Sequence, residues 1–145
     1  MNADSWDYDP RYLAGIVLFN RGDFFEAHEV WESLWLSAEV GEHRRFIQGL
    51  IQAAVALHHL ETNNSRGAAK LFVTARDYMT AYPDFWLGLH HPRFWQLMEA
   101  FFAYHGLIER SGQPGETAPP PRPRIELVPE PSTWPDPTKY LDLED

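Results

Sequence analysis

Phe24-Phe25-Glu26-Ala27-His28-Glu29-Val30-Trp31-Glu32, with Trp35 one turn further on, is the stretch that decides how this chain is read. It mixes ionisable and large aromatic side chains at helical spacing. At about 100° per residue, Phe24, Phe25, His28, Trp31, Glu32 and Trp35 share one face, with Glu29 at its edge and Glu26 farther round. The spacing predicts a helix whose packed face carries an imidazole and a carboxylate. Once buried, such groups must be hydrogen-bonded, paired or metal-bound, because an unsatisfied polar group in an apolar interior costs several kcal/mol.

Helical signals continue on both sides. Upstream, Asp9-Pro10 reads as an N-cap with proline at the first helical position, and Tyr12, Leu13, Ile16 and Val17 form an apolar stripe up to about Phe19. Arg21-Gly22 breaks that pattern, and Asp23 with Glu26 three residues on forms an Asp variant of the capping box, launching the aromatic helix as far as about Ala38. Beyond Val40-Gly41 a third helix is expected from about Glu42 to Glu61. Its middle is apolar nearly all round, as suits the centre of a bundle. Asn63-Asn64-Ser65 ends it and caps a fourth helix that stops near Tyr82-Pro83, and His91-Pro92 starts a fifth that closes near Gly106.

From Ser111 onward the chain holds nine of its twelve prolines, so regular helix gives way to an extended tail. The tip Gln113-Pro114-Gly115-Glu116 is expected to be mobile, whereas Ile125 to Val128 and Ser132 to Pro135 offer apolar anchors for docking back on the bundle. The expectation is an all-α fold: a helical bundle domain over residues 1–110, about five helices strong, followed by a proline-rich extension over 111–145 that packs in part against it.

Composition narrows the function classes. In 145 residues, 44% hydrophobic and 14% aromatic content describes a globular chain with one aromatic-rich core. The formal charge of −9, with no Lys/Arg cluster, argues against direct nucleic-acid binding. No cysteine is present, which excludes disulfides, thiolate ligands and Cys nucleophiles. The first residues lack the basic and apolar regions of a signal peptide, and the apolar run from Leu50 to Leu57 is too short for a bilayer, so a cytoplasmic protein without membrane contact is expected.

On the third helix Gln48, Gln52 and His59 lie within about 40° of one another. Facing His28 and Glu32, they would complete an interior network that fixes the register of two core helices. The alternative is a site for Zn, Fe or Mn built from Glu26, His28, Glu29 and Glu32 with His58 or His59, in which His28, Glu32 and Glu29 hold the ion. Against it, the place four residues after His28 holds Glu32 where a zincin has a second His, and Glu29-x-x-Glu32 stands where a di-iron helix has Glu-x-x-His. No nucleophile elbow or phosphate-binding glycine loop occurs.

Three blocks, Phe19 to Glu32, Phe46-Ile47-Gln48-Gly49-Leu50-Ile51-Gln52-Ala53-Ala54, and Asn64-Ser65-Arg66-Gly67-Ala68-Ala69-Lys70-Leu71, together resemble the uncharacterised prokaryotic family known as domain of unknown function 309. The resemblance covers about Leu13 to Met79. It implies a small all-α domain and singles out Glu26, His28, Glu29, Glu32 and Gln52; it supplies no reaction. The reading that follows is a non-catalytic interaction or scaffold protein with no cofactor, contacting a protein partner or a second copy of itself through Phe85-Trp86-Leu87-Gly88-Leu89 or the tail. A metal-dependent hydrolase using the His/Glu cluster is the alternative.

Overall fold

The computed structural model describes residues 8–107 and 119–141. The Gln113 to Glu116 tip and the expected boundary between residues 110 and 111 lie outside them. Five helices follow one another: α1 (Pro10–Arg21), α2 (Phe24–Trp35), α3 (Arg44–Glu61), α4 (Ser65–Thr80) and α5 (His91–Tyr104). Between α4 and α5 runs a small hairpin, β1 (Phe85–Trp86) and β2 (Leu89–His90), and 3₁₀ turns occupy Ala38–His43 and Pro137–Tyr140. The all-α architecture is as the periodicity predicts.

Most termini form for the expected reasons. The Asp9 carboxylate accepts the Arg11 backbone N–H ahead of Pro10, and Asn64 accepts the Gly67 N–H to open α4. Gly22, at φ 89°, closes α1 in the left-handed conformation, its N–H reaching the Leu18 and Phe19 carbonyls. The start of α2 differs from expectation, because Asp23 precedes the helix without making a side-chain cap, so no capping box forms. Helix α2 also ends at Trp35 and α3 begins at Arg44. The 3₁₀ segment between them is broken at Gly41, whose φ of 50° and ψ of −132° no helix accommodates.

Helices α1 to α4 pack in sequence, each on the next, and α5 lies against α4. Two glycines set the closest approaches. A Cβ on Gly15 of α1 would overlap the indole of Trp31 on α2, and one on Gly49 of α3 would overlap Met79 and press on the Ala75 carbonyl of α4. Trp31 is fully buried, and its Nε1–H donates to the Tyr12 carbonyl at 3.1 Å. Phe19 joins three helices, its ring centroid 5.1 Å from Phe24, 5.9 Å from Trp31 and 5.9 Å from Phe94. Phe72, Trp95 and Phe102 continue the aromatic core between α4 and α5.

The hairpin was not anticipated. Its two-residue loop, Leu87-Gly88, has φ of 51° and 78°, the pattern of a tight type I′ turn, and Gly88 supplies the residue that tolerates it. The chain returning from residue 119 then docks on the bundle. Asn20 exchanges two hydrogen bonds with the Ile125 backbone, at 3.0 and 2.9 Å, as a neighbouring strand would. Leu127 bridges Leu89, the Val128 N–H donates to the Gly88 carbonyl, and the Tyr8 hydroxyl donates to the Pro129 carbonyl. Ile125, Leu127 and Pro137 are buried in consequence.

Gly15→Ala is expected to destabilise the fold by about 1–3 kcal/mol in urea unfolding, because overpacking against the indole outweighs alanine's better helix propensity; a neutral or stabilising result would contradict this packing. Burial raises the Asp9 carboxyl, but hydrogen bonds and charge from Arg11 together overcome that and hold it below its usual 3.8. A depressed folded-state value means a contribution present above the unfolded value and lost as the pH falls through the folded one. Asp9→Asn keeps the cap and loses the charge. It is therefore expected to be about 0.5–1 kcal/mol less stable than wild type at neutral pH and equal to it in strong acid, as read by urea titration at the two pH values.

Candidate functional site

The buried face of α2 consists of Phe24, Ala27, Val30, Trp31 and Leu34. This corrects the expectation for His28 and Glu32. At about 100° per residue, Glu32 falls nearly opposite the centre of that face and His28 at its margin. The Glu32 side chain is 50% exposed and that of His28 21%. Two apolar lines compete on this helix, 24–28–31–35 and 24–27–31–34, and Trp31 belongs to both. Its fit over Gly15 and its bond to Tyr12 go with the second, which carries Ala27 and Leu34 where the first carries His28 and Trp35.

The polar set is therefore a surface set. His28 Nε2 lies 3.8 Å from Glu32 Oε1, and its Nδ1 lies 3.2 Å from the Phe25 carbonyl of the preceding turn. Glu29 is exposed, and Glu26 lines an open groove with Asp23, His58 and Glu61. Across the helix pair it is His58 that approaches α2, its ring centroid 5.4 Å from Phe25. His59 instead meets the Asn64 side-chain amide at the start of α4. Gln48 is partly buried, and Gln52 has a buried Oε1 without a hydrogen-bond partner. Among the described residues no hydrogen bond joins His28 or Glu32 to Gln48, Gln52 or His59, so the expected interior network does not form. Nor do three His, Asp or Glu side chains among them come together closely enough to hold a metal ion, so an ion site would rest on His28 and Glu32 alone.

The buried histidine is elsewhere. His91 is 3% exposed, and its Nε2 lies 3.0 and 2.9 Å from the Tyr82 and Pro83 carbonyls. Carbonyls only accept, so Nε2 carries the proton and ties the end of α4 to the start of α5. His90 is the N-cap, accepting the Arg93 N–H. His43 accepts the Trp86 indole N–H at 3.0 Å. The Tyr82 hydroxyl donates to the Glu42 carbonyl, and the Tyr12 hydroxyl to that of Leu87. Burial, followed by the nearby Tyr8, pushes the Tyr12 phenol well above its ordinary value, so it stays protonated as a donor.

The sequence reading missed a groove of about 490 Å³ beside the hairpin. Its apolar lining comes from Phe85, Leu89, Phe94, Leu97 and Val128, and its basic lining includes Arg93 of α5 and Arg122 and Arg124 of the returning chain. A signal was present in the sequence: along residues 122–128, Pro123, Ile125 and Leu127 are buried, while Arg122, Arg124, Glu126 and Val128 alternate with them and face the groove.

These features define a small all-helical domain with its ionisable α2 residues at the surface and a basic, apolar-floored groove at the hairpin. Residues 12–71 match the family model described as "Domain of unknown function (DUF309)". The uncharacterized protein YpuF of Bacillus subtilis (strain 168) is 33% identical over 100 residues, which are 66% of this chain and 56% of that protein. An uncharacterized protein of Aquifex aeolicus (strain VF5) is 35% identical over 72 residues, 50% of this chain and 22% of that protein. The chain thus spans less than two thirds of either relative. Gly15, Trp31 and the α2 polar set lie within the matched segment, and the hairpin, α5 and the returning chain lie beyond it.

His91→Ala leaves two part-buried carbonyls without their donor and opens a hole in place of a buried ring, and is expected to cost about 2–4 kcal/mol. His28→Ala removes a partly exposed side chain with a long ionic contact, for which about 0.5 kcal/mol or less is expected. Guanidinium unfolding of the two variants side by side checks the order, and the reverse order would contradict the rotation of α2.

Proposed function

We propose that this chain is a non-catalytic interaction protein whose contact surface is the groove formed by the hairpin, α5 and the returning chain. The observation that carries this reading is a pair of large apolar side chains left open at a concave place: Phe85 is 54% exposed and Val128 65% exposed, above a floor of Leu89 and Phe94. Exposed apolar residues gathered in a concavity are a common mark of a recognition site. The elements around it are held by the Trp86–His43, Tyr12–Leu87 and Asn20–Ile125 bonds, so the surface is preorganised and loses little entropy on binding. The hydrolase reading has no comparable support, since Glu29 does not join His28 and Glu32 in a metal-holding group.

A photo-crosslinking phenylalanine analogue placed at position 85, in cells that make the protein, is expected to yield a discrete adduct with one partner chain or a second copy of this one. The same analogue at Leu36 or Val73, which are also exposed but lie outside the groove, is expected to yield none. Equal labelling at all three positions would contradict the assignment of the surface.

A further inference from the structure

We infer that the groove takes an acidic, extended peptide segment of a partner protein, with an apolar side chain at one end against Phe85 and Val128 and carboxylates along Arg124, Arg122 and Arg93. This rests on the interaction reading above and names the partner's chemistry. The chain carries a formal charge of −9, yet three of its twelve basic residues converge on this one concavity. The basic partners in the ion pairs among the described residues are Arg11 and His28, so no described carboxylate lies within ion-pair distance of these three arginines, and Glu126 is the one acid among the residues lining the groove. Arg122 lies over the Phe24 ring, 5.9 Å from its centroid, and its guanidinium also packs against Gly22, which fixes the side chain at the edge of the groove.

The layout favours a linear ligand over a single anion. Alternating burial marks residues 122–128 as an extended wall about 20 Å long, with outward side chains every 6–7 Å or so. Arg122 and Arg124 take two successive outward positions, and Val128 stands at the far end, level with Gly88 of the hairpin loop. A phosphate or lone carboxylate would occupy one point of that row. An extended segment with carboxylates on alternate residues matches its period, and guanidinium groups pair with carboxylates in planar, bidentate fashion. Glu126 stands between the basic and apolar ends of the wall and disfavours a carboxylate there, which sets the register: apolar residue first, acids beyond.

The test is selection of short random peptides displayed on phage against the immobilised full chain, followed by affinity measurements on the selected peptides with wild type, Phe85→Asp, and the double variant Arg93→Glu/Arg124→Glu. The expected result is enrichment of sequences with two or more Asp or Glu near one apolar residue. Binding is expected to weaken about tenfold or more in the double variant and to fall as salt is raised. Selected peptides that are neutral or basic, and that lose binding in Phe85→Asp but not in the double variant, would overturn the acidic partner and leave the interaction reading standing. Selection of no peptide sensitive to either variant would overturn both. Because both arginines are exposed, unchanged thermal unfolding of the double variant is the control for folding.

Discussion

The indole of Trp31 lying over Gly15 is the contact on which the rest of the structure depends. It does two things at once. The missing side chain lets α1 and α2 approach closely enough for the indole to be fully buried, and the Nε1–H finds the Tyr12 carbonyl, so that burial leaves no unmet donor. It also sets the rotation of α2 about its axis. With Trp31 committed to α1, Ala27, Val30 and Leu34 turn inward and the line of His28, Glu32 and Trp35 turns toward the margin or beyond it. Phe19, in contact with Trp31, Phe24 and Phe94, carries the same constraint across to α5.

How much of this could be read from the residues depends on the physics of each feature. The helices were legible because caps, glycines and a period near 3.6 are local signals: Asp9-Pro10, Gly22 and Asn64 work where they stand. The rotation of α2 was not legible, because two apolar lines share Trp31 and the choice between them depends on a glycine sixteen positions upstream. The same ambiguity turned His28 and Glu32 from an expected interior pair into a surface pair. The burial of His91 escaped notice for a related reason: whether a histidine before a proline caps a helix or is buried depends on carbonyls outside that helix, here those of Tyr82 and Pro83 in the connection after α4. The groove was legible only in part. Ile125 and Leu127 stand out as apolar anchors, but the significance of Arg122 and Arg124 emerges only once alternate residues of that segment are seen to face opposite ways.

Charge and shape together give the groove its character. Most of this acidic chain's surface repels acidic partners, and a local set of arginines beside an apolar floor reverses that preference at one place. The segments forming the groove are far apart in sequence and are held by a few specific bonds: the Asn20 amide to Ile125, Leu127 to Leu89, and the Tyr12 hydroxyl to Leu87. Tyr12 thus links the two ends of the account, since its carbonyl receives the Trp31 indole and its hydroxyl holds the hairpin loop. The contact that rotates α2 and the surface proposed for recognition share one residue.

Histidine footprinting tests the rotation most directly. The folded protein would be treated briefly with diethyl pyrocarbonate and the modified histidines located by mass spectrometry. The structure predicts that His28 reacts readily, while His91, sealed against the Tyr82 and Pro83 carbonyls, is protected until the protein unfolds. Protection of His28 to the same degree as His91 would mean that α2 buries its His28–Glu32 line, and the account of how Trp31 and Gly15 set the fold would be wrong.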